Sequence, residues 1–226
     1  MRHGQVSYFP RAGERVDPLA VHLTDEGQEQ ASLAGRELAD VAFDRCVHSG
    51  LNRTAETAQL VLAGREVPTS TREDLQELRS DHAALMTAGG DLQAAFTQSF
   101  VRAREDDARF LHGERFVEAQ QRVLGAWRAL LAAQDWETLL VVAHGGVNRI
   151  LIAHALGAGR DAYGSIEQEA GCINIIDVDT PDETYPGGRH IVRLMNHSPY
   201  DSVKRKHTLT TMERLWQGFT KMGSKA

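Results

Sequence analysis

Two histidines and two arginines lie in three separate, strongly patterned segments of this chain. Arg2-His3-Gly4-Gln5 opens the sequence, Arg53 follows Ser49 in a helix-like run, and His144 precedes Gly145-Gly146. A guanidinium offers phosphate oxygens a planar fork of donors, and a neutral imidazole attacks phosphorus to form a phosphohistidine. These residue types therefore predict a pocket that binds a phosphoryl group and attacks it with an imidazole.

The two predicted imidazoles have different tasks. While one attacks, the other, if protonated, donates to an equatorial oxygen on which negative charge develops. Departure of the leaving group needs a general acid, so we expect a carboxyl group at the rim of the pocket. Arginines and the second histidine supply the positive charge, and the histidines show no HExxH spacing, so we expect no metal and no cofactor.

Strand-like runs alternate with helical patterns along the chain. The strands are predicted at Arg45–His48, Thr138–Ala143, Cys172–Val178 and His190–Met195, and the helices after Thr24, over Leu51–Leu62, from near Glu114, and from Val147 to near Gly157. Such alternation predicts βαβ units and a largely parallel sheet covered on both faces. The turn-rich segment Thr180–Gly188 is expected to join the last two strands as an antiparallel edge hairpin.

Arg53 and His144 each come shortly after a predicted strand, where a helix begins. The carboxyl ends of parallel strands converge on one crevice, and helix N-termini there present free N–H groups to anions. Gly145, next to His144, allows the backbone to approach a ligand closely. The pattern therefore places Arg53, His144 and Gly145 at the same site.

Length and charge limit the class of protein. With 226 residues and 42% hydrophobic residues the chain fits one domain, in which we expect residues 80–113 to form an insertion over the active site and residues 197–226 a C-terminal tail. The formal net charge of −6 argues against nucleic-acid and anionic-membrane partners. We expect a cytoplasmic monomer or homodimer whose partner is a small phosphorylated substrate.

Five motif blocks stand in order along the chain. They are Arg2-His3-Gly4-Gln5, Leu23-Thr24-x-x-Gly27-x-x-Gln30-Ala31, Ser49-x-x-x-Arg53-Thr54-x-x-Thr57-Ala58, Gly113-Glu114 and Val142-Ala143-His144-Gly145-Gly146. Together they resemble the signature of the histidine phosphatase superfamily, in its branch 1, which includes the cofactor-dependent phosphoglycerate mutases. The resemblance implies a phosphoglycerate mutase-like three-layer α/β/α sandwich, with a mostly parallel sheet and an antiparallel edge strand.

The resemblance also implies roles for individual residues. His3 becomes the phosphorylated nucleophile, and Arg2, Arg53 and His144 become the phosphate pocket. Leu75-Gln76-Glu77 resembles the segment that contains the proton donor of the family, so Glu77 is the candidate acid, with Glu73 and Asp74 as competitors. Gln5 and Gly145 are expected as further contacts to the phosphoryl group. Glu114 is expected to begin a helix rather than to act on the substrate.

The stretch after Glu77 reads Leu78-Arg79-Ser80-Asp81-His82, which matches neither the mutases nor many of the small phosphatases of the family. Absence of the mutase-like stretch favours a metal-independent phosphomonoester hydrolase that acts on a small phosphorylated metabolite. The alternative is a phosphoglycerate mutase-type phosphotransferase, which would use 2,3-bisphosphoglycerate as its cofactor. A third possibility is a non-enzymatic protein that binds phosphorylated ligands on the same scaffold.

The position of His3 leads to one further expectation. A nucleophile must be held on a rigid element, and in the resembled family the motif histidine ends a central strand. Only Met1 and Arg2 precede it here. We therefore expect the natural protein to start several residues upstream.

Overall fold

The computed structural model describes residues 1–8, 17–87, 89–133, 135–179, 183, 188–205 and 208–223. The strands are β1 Arg45–His48, β2 Thr69–Thr71, β3 Leu139–Val142, β4 Ile173–Val178 and β5 His190–His197. The helices are α1 Asp25–Glu37, α2 Asn52–Leu62, α3 His82–Thr87, α4 Leu92–Thr97, α5 Phe116–Ala133, α6 Gly145–Ala155 and α7 Thr211–Gly223. Short 3₁₀ turns lie at Glu73–Leu75, Val101–Arg104, Phe110–His112 and Gly159–Ser165.

The sheet is mostly parallel and is centred on β1. This strand pairs in parallel with β2 on one side and β3 on the other, so that Val47 lies opposite Ser70 and Val141. β4 and β5 form an antiparallel pair, as predicted. Cys46 and Val47 are fully buried, because helices cover both faces of a parallel sheet. The predicted α/β class, with an antiparallel pair of strands, is thus confirmed.

The first three residues connect the parallel strands to the antiparallel pair. His3 N–H donates to the Ala143 carbonyl at 3.0 Å, and Ala143 N–H donates to the Met1 carbonyl at 3.0 Å. On the other side, Arg2 N–H donates to the Cys172 carbonyl, just before β4, at 3.1 Å. These bonds hold the Arg2-His3 backbone between two strands, which gives the imidazole the rigid support that it needs.

Helix α1 begins where the sequence predicts. The Thr24 hydroxyl caps it by accepting the Gly27 N–H at 3.1 Å, and Asp25 and Glu26 occupy the first turn, where negative charge is favoured. A Cβ on Gly27 would lie 2.1 Å from the Gln5 carbonyl oxygen. The motif glycine therefore allows α1 to pack directly on the backbone that follows His3.

Helix α5 turns its predicted apolar face to the main core. Phe116, Val123, Trp127 and Leu130 are all buried, at helical spacing. The same core includes α6, which packs against α5 and buries Val147, Ile150 and Ile152. Burial of this stripe supplies the hydrophobic stabilisation that holds α5 against the site-bearing strands.

The described residues of 80–113 form a series of short elements. They contain two short helices, α3 and α4, and two 3₁₀ turns. Phe96 and Phe100 anchor the segment in the main core, and Phe96 also meets Trp216 and Phe219 of α7, with ring centroids 5.6 and 5.3 Å apart. Helix α7 lies within the expected tail and was not predicted. Helices as short as α3 and α4, with six residues each, derive their stability from packing, so their sequences carry little periodic signal.

The sequence also gave no sign of β2. Its three residues are polar and at most partly buried. Pairing with β1, and not a hydrophobic pattern, makes this segment a strand. The predicted loop Thr180–Gly188 falls largely on residues 180–182 and 184–187, outside the described part of the chain. Among the helices of the described residues, none has the length and apolar character required to cross a lipid bilayer.

The contact between α1 and the His3 segment predicts the effect of one methyl group. Gly27→Ala should lower the free energy of unfolding by about 2 kcal/mol or more, because its Cβ meets a backbone oxygen that cannot rotate away. Gly125→Ala in α5 is the matched control. A Cβ there meets no atom within 4 Å, so alanine should raise stability by about 0.5–1 kcal/mol. Urea unfolding of both variants measures the difference, and equal effects would contradict the packing argument.

Candidate active site

Three parts of the fold bring the two histidines and two arginines together. Arg2 and His3 come from the N-terminal segment beside β3, Arg53 lies in the first turn of α2, and His144 occupies the N-cap position of α6. The His3 and His144 rings lie edge to face, with centroids 5.1 Å apart. His3 is 2% exposed, Arg53 3% and His144 0%, so the cluster is enclosed by protein.

His3 has the protonation state that a nucleophile requires. Its Nδ1 lies 2.7 Å from the Gly4 carbonyl oxygen, and only a protonated nitrogen can bond to a carbonyl. The Nδ1–H therefore donates to Gly4, and Nε2 keeps the lone pair. Burial above all, and then the charges of Arg2 and Arg53, hold the pKa of His3 well below its usual value. The ring is thus neutral at physiological pH.

His144 is equally desolvated. Burial is again the main cause of its strongly lowered pKa, followed by electrostatic repulsion between the two imidazoles and by the charges of Arg53 and Arg2. Its Nε2 lies 2.7 Å from the Ser49 hydroxyl, at the end of β1, whereas its Nδ1 is buried and makes no hydrogen bond to any described residue. One ring nitrogen is thus anchored by the protein, and the other is available to a ligand.

The arginines show the same division between an anchored end and a free end. Arg2 Nη1 donates to the Gln168 carbonyl at 2.6 Å, and Arg53 Nη1 donates to the Pro18 carbonyl at 2.8 Å. Their Nε atoms are buried without a hydrogen-bond partner among the described residues. A buried N–H without a partner costs about 1–3 kcal/mol, so its presence at two neighbouring arginines calls for an acceptor supplied by a ligand.

The Glu77 carboxylate lies at the N-terminus of α6. Its two oxygens accept the Gly146 N–H at 3.1 and 3.2 Å, and a Cβ on Gly146 would lie 2.5 Å from Oε1. Glycine at this position therefore gives the carboxylate room to approach the helix that begins after His144. Of the two competing acids, Asp74 is paired with Arg72 at 2.6 Å and Glu73 is exposed. Glu77 is the acid that the fold places beside the histidine pair.

A buried ion pair fixes the backbone on both sides of Glu77. Arg122 of α5 donates to the Glu114 carboxylate from Nε and Nη2, at 2.9 and 2.8 Å. Its Nη1 also donates to the Asp74 and Gln76 carbonyls, both at 2.9 Å.

Glu114 completes the arrangement by accepting the backbone N–H of Arg79 at 3.1 Å. It lies ahead of α5, which begins at Phe116, and its function is to hold the Glu77 segment rather than to start the helix. Burial raises the pKa of Glu114, but the hydrogen bonds from Arg122 and Arg79 outweigh burial and leave that pKa below its usual value.

The two remaining predicted contacts occupy different places. Gly145 begins α6 against the arginine cluster, since a Cβ on it would lie 3.7 Å from Arg2 Nε. The Gln5 amide is engaged elsewhere: its oxygen accepts the Thr24 hydroxyl at 2.7 Å and its nitrogen donates to Glu26 at 2.8 Å. Gln5 thus supports the N-terminus of α1, and its predicted contact to the phosphoryl group remains a prediction.

Sequence reasoning missed a third arginine. Arg149 lies one turn into α6, is 4% exposed, and pairs with Glu167 at 3.0 Å while stacking on the Phe100 ring at 4.3 Å. The charges of Arg2 and Glu77 both act on it. It lies four residues after Gly145, on the same face of α6, and this spacing was the available signal.

Tyr8 was also missed. Burial raises the pKa of its hydroxyl, and the nearby charges of Arg53, Arg2 and Glu77 act on it. It therefore lies within the range of the charges of the cluster. No periodic pattern at residues 5–8 pointed to this position.

The site thus concentrates positive charge inside a protein whose net charge is −6. Arginines with free donors surround a neutral imidazole, a helix N-terminus and a carboxylate lie beside it, and a mostly parallel sheet positions all of them. These features define an α/β enzyme of phosphoryl transfer.

Comparison with known proteins identifies the family. The sequence model of the histidine phosphatase superfamily (branch 1) matches residues 1–190, and the chain belongs to this superfamily. This confirms the resemblance that the five motif blocks indicated.

Relatives of known name are similar over most of the chain. Adenosylcobalamin/alpha-ribazole phosphatase of Salmonella typhimurium is 32% identical over 79% of this chain and 88% of its own length. 2-carboxy-D-arabinitol-1-phosphatase of Triticum aestivum is 30% identical over 84% of this chain, which spans only 37% of that plant protein. The solved structure of alpha-ribazole phosphatase from Shigella flexneri is 25% identical and has a TM-score of 0.66, with 87% of this chain and 94% of that chain covered.

The Glu114–Arg122 pair predicts a linked loss of stability and turnover. Arg122→Ala should lower the free energy of unfolding by about 3 kcal/mol, since it leaves the Glu114 carboxylate buried without its partner. It should also reduce turnover, because the Asp74 and Gln76 carbonyls, which precede Glu77, lose their hydrogen bonds from Arg122. Arg102→Ala, which breaks an exposed pair with Glu105, is the control and should cost about 0.5 kcal/mol or less.

The pH dependence of this loss has a defined sign. The pKa of Glu114 is lower in the folded protein than in the unfolded chain, so the pair stabilises above the unfolded pKa. That contribution disappears as pH falls through the folded pKa. The difference between wild type and Arg122→Ala in denaturant unfolding should therefore shrink with acidification. A difference that is constant with pH would contradict this account.

Proposed function

We propose that this protein is a metal-independent phosphomonoester hydrolase that acts through a phosphohistidine at His3 on a small phosphorylated metabolite. The observation that carries the proposal is the set of free, buried atoms around His3. Arg2 Nε and Arg53 Nε offer donors, and the His3 ring keeps its Nε2 lone pair. A phosphoryl group satisfies these donors and presents phosphorus to that lone pair. The phosphatase names of the relatives support hydrolysis.

The first half of the reaction forms the phosphohistidine. His3 Nε2 attacks phosphorus in line, so that a P–N bond forms as the ester P–O bond breaks. Arg2, Arg53 and His144 stabilise the negative charge that develops on the equatorial oxygens. Glu77, held at the N-terminus of α6, delivers a proton to the departing alcohol oxygen.

The second half returns the enzyme to its starting state. Glu77, now ionised, takes a proton from a water molecule that attacks phosphorus from the side vacated by the alcohol. The P–N bond breaks, inorganic phosphate leaves, and the Nε2 lone pair is restored. The arginines supply the positive charge throughout, so the proposed mechanism requires no metal ion or cofactor.

The enclosure of the site supports a small substrate. His3 and His144 are at most 2% exposed, so the phosphoryl group must enter a pocket rather than bind on an open surface. Phe100, from the segment over the site, contacts Arg149 beside the arginine cluster. We propose that residues of this segment select the organic part of the substrate.

The proposal predicts that His3 is indispensable. His3→Ala should lower kcat/KM by about 10³-fold or more on a broad panel of phosphomonoesters, since the variant lacks the Nε2 lone pair that attacks phosphorus. Rapid mixing with a radiolabelled substrate, followed by an alkaline quench, should trap an acid-labile phosphohistidine in wild type only. His154→Ala is the matched control, because this exposed histidine lies at the opposite end of α6.

Two results, one from an isomerisation assay and one from the substrate panel, would overturn the proposal. Rapid isomerisation of monophosphoglycerates in the presence of 2,3-bisphosphoglycerate, with little release of phosphate, would instead identify a mutase. Wild type that hydrolyses nothing on the panel and traps no phosphohistidine would identify a protein that only binds phosphorylated ligands.

The role of Glu77 predicts a dependence on the leaving group. Glu77→Gln should lower kcat/KM by about 10²- to 10⁴-fold for alkyl phosphates, whose alcohols need a proton in order to leave. The loss should be much smaller for p-nitrophenyl phosphate, because its leaving group departs as a stable anion. Glu73→Gln, which alters an exposed neighbouring acid, should leave both rates within about twofold of wild type. Equal losses for the two esters would contradict the proton-donor role.

A further inference from the structure

The hydrogen bonds behind His144 form a chain with a fixed direction. Thr54 Oγ1 lies 2.7 Å from the Leu51 carbonyl oxygen, Ser49 Oγ lies 3.0 Å from Thr54 Oγ1, and His144 Nε2 lies 2.7 Å from Ser49 Oγ. Ser49, Thr54 and His144 are fully buried, so these groups have no access to bulk water. The four groups, from Leu51 to His144, are called the backing chain below.

Counting protons sets the direction of every bond in the backing chain. A carbonyl oxygen only accepts, and the Leu51 oxygen, which also accepts the Thr54 and Ala55 N–H groups at 2.9 and 3.1 Å, lies closer to Thr54 Oγ1 than Ser49 does, so we assign the single hydroxyl proton of Thr54 to Leu51. Thr54 then accepts from Ser49, whose single proton is used in turn. Ser49 can therefore only accept from His144, and Nε2 must be the donor. The neutral ring of His144 thus carries its proton on Nε2.

This tautomer has a consequence on the pocket side of the ring. Nδ1 of His144 holds a lone pair and is buried without a hydrogen-bond partner among the described residues, in a ring whose centroid lies 5.1 Å from that of His3. Two acceptors repel each other, so a phosphoryl dianion binds well only if a proton is added at Nδ1. That proton comes from solvent, and it turns the ring into an imidazolium that donates to the phosphoryl oxygen.

We propose that Ser49 and Thr54 are positioning residues that fix the tautomer of His144, so that the pocket takes up one proton when it binds a phosphoryl dianion. The inference rests on the proposed function only in that the ligand is a phosphoryl dianion. Proton uptake gives His144 a full positive charge when the substrate is bound, whereas the ring is neutral before binding.

The surrounding groups favour this coupling. Before a ligand binds, the guanidinium charges of Arg53, Arg2 and Arg122 act on His144, beside the neutral His3 ring. Burial and these positive charges lower the pKa of His144, so the ring is neutral before binding. The one nearby carboxylate among the described residues that contacts the start of α6 is Glu77, which is engaged by Gly146 N–H. A bound dianion reverses the balance by placing negative charge against Nδ1.

Thr54→Val tests the direction of the backing chain. Valine matches threonine in shape but removes the acceptor for the Ser49 proton, which then donates to His144 Nε2. The His144 proton should move to Nδ1 in the free protein. Nitrogen NMR of ¹⁵N-histidine-labelled protein reads this directly, with His3, protonated on Nδ1 in both proteins, as internal reference. Thr54→Ser keeps the hydroxyl and should keep the proton of His144 on Nε2.

Proton uptake is measured with tungstate, a tetrahedral dianion that carries no proton at neutral pH. Between about pH 7 and 8, the Kd of wild type and of Thr54→Ser should rise about tenfold, because binding requires a proton that becomes scarcer. In Thr54→Val the neutral ring already presents an Nδ1–H, so Kd should change by less than about twofold. Ser49→Ala, which removes the bond to Nε2 altogether, should behave like Thr54→Val.

The NMR measurement and the tungstate-binding measurement each have an outcome that would overturn the proposal. An Nδ1–H tautomer of His144 in free wild type would show that the backing chain does not set the proton. A tenfold dependence that persists in Thr54→Val and in Ser49→Ala would place the added proton on His3. Neither measurement uses turnover, so a failure of the hydrolase proposal in the substrate screen remains separate from a failure of this one.

Discussion

The structure depends on a desolvated cluster of donors to which the described residues supply no acceptor. Arg2 and Arg53 each donate from one nitrogen to a backbone carbonyl, and each holds its Nε buried without a hydrogen-bond partner in that part of the chain. Leaving such groups without partners costs stability, and that cost is acceptable only where a ligand removes it. The same burial keeps both histidines neutral, and a neutral His3 is what nucleophilic attack requires.

The fold supplies this cluster through the ends of parallel elements. The first three residues lie between β3 and the start of β4, which fixes the His3 ring from two sides. α2 and α6 both begin at the carboxyl edge of the sheet and add Arg53 and His144. Behind them, α5 sends Arg122 under the segment of Glu77, so that the acid is held by a buried ion pair rather than by its own loop. The packed core thus holds the site residues rigidly in place.

Much of this arrangement was predictable because local rules and the global fold agree. Arg45–His48 was predicted as a strand and observed as β1, and Thr24 caps α1 as expected. The short helices α3 and α4 and the polar strand β2 were not predictable, because packing or pairing with distant residues creates them. Helix α7 was missed although its apolar residues recur at helical spacing, at Met212, Leu215, Trp216 and Phe219. Arg149 and Tyr8 escaped notice for a related reason, since neither belongs to a motif block.

The sequence by itself determined the chemistry: two imidazoles, two guanidiniums and a carboxyl group in ordered motifs suffice to predict phosphoryl transfer, because the reactivity of these groups is intrinsic to their side chains. The tertiary structure decided the protonation states and the supports. Which nitrogen of His144 bears the proton depends on Ser49 and Thr54, about 90 residues earlier in the chain. The hydrogen bonds of the Gln5 side chain to Thr24 and Glu26 likewise depend on where α1 packs. Hydrogen bonds and burial between distant segments exist only after folding, so no local pattern records them.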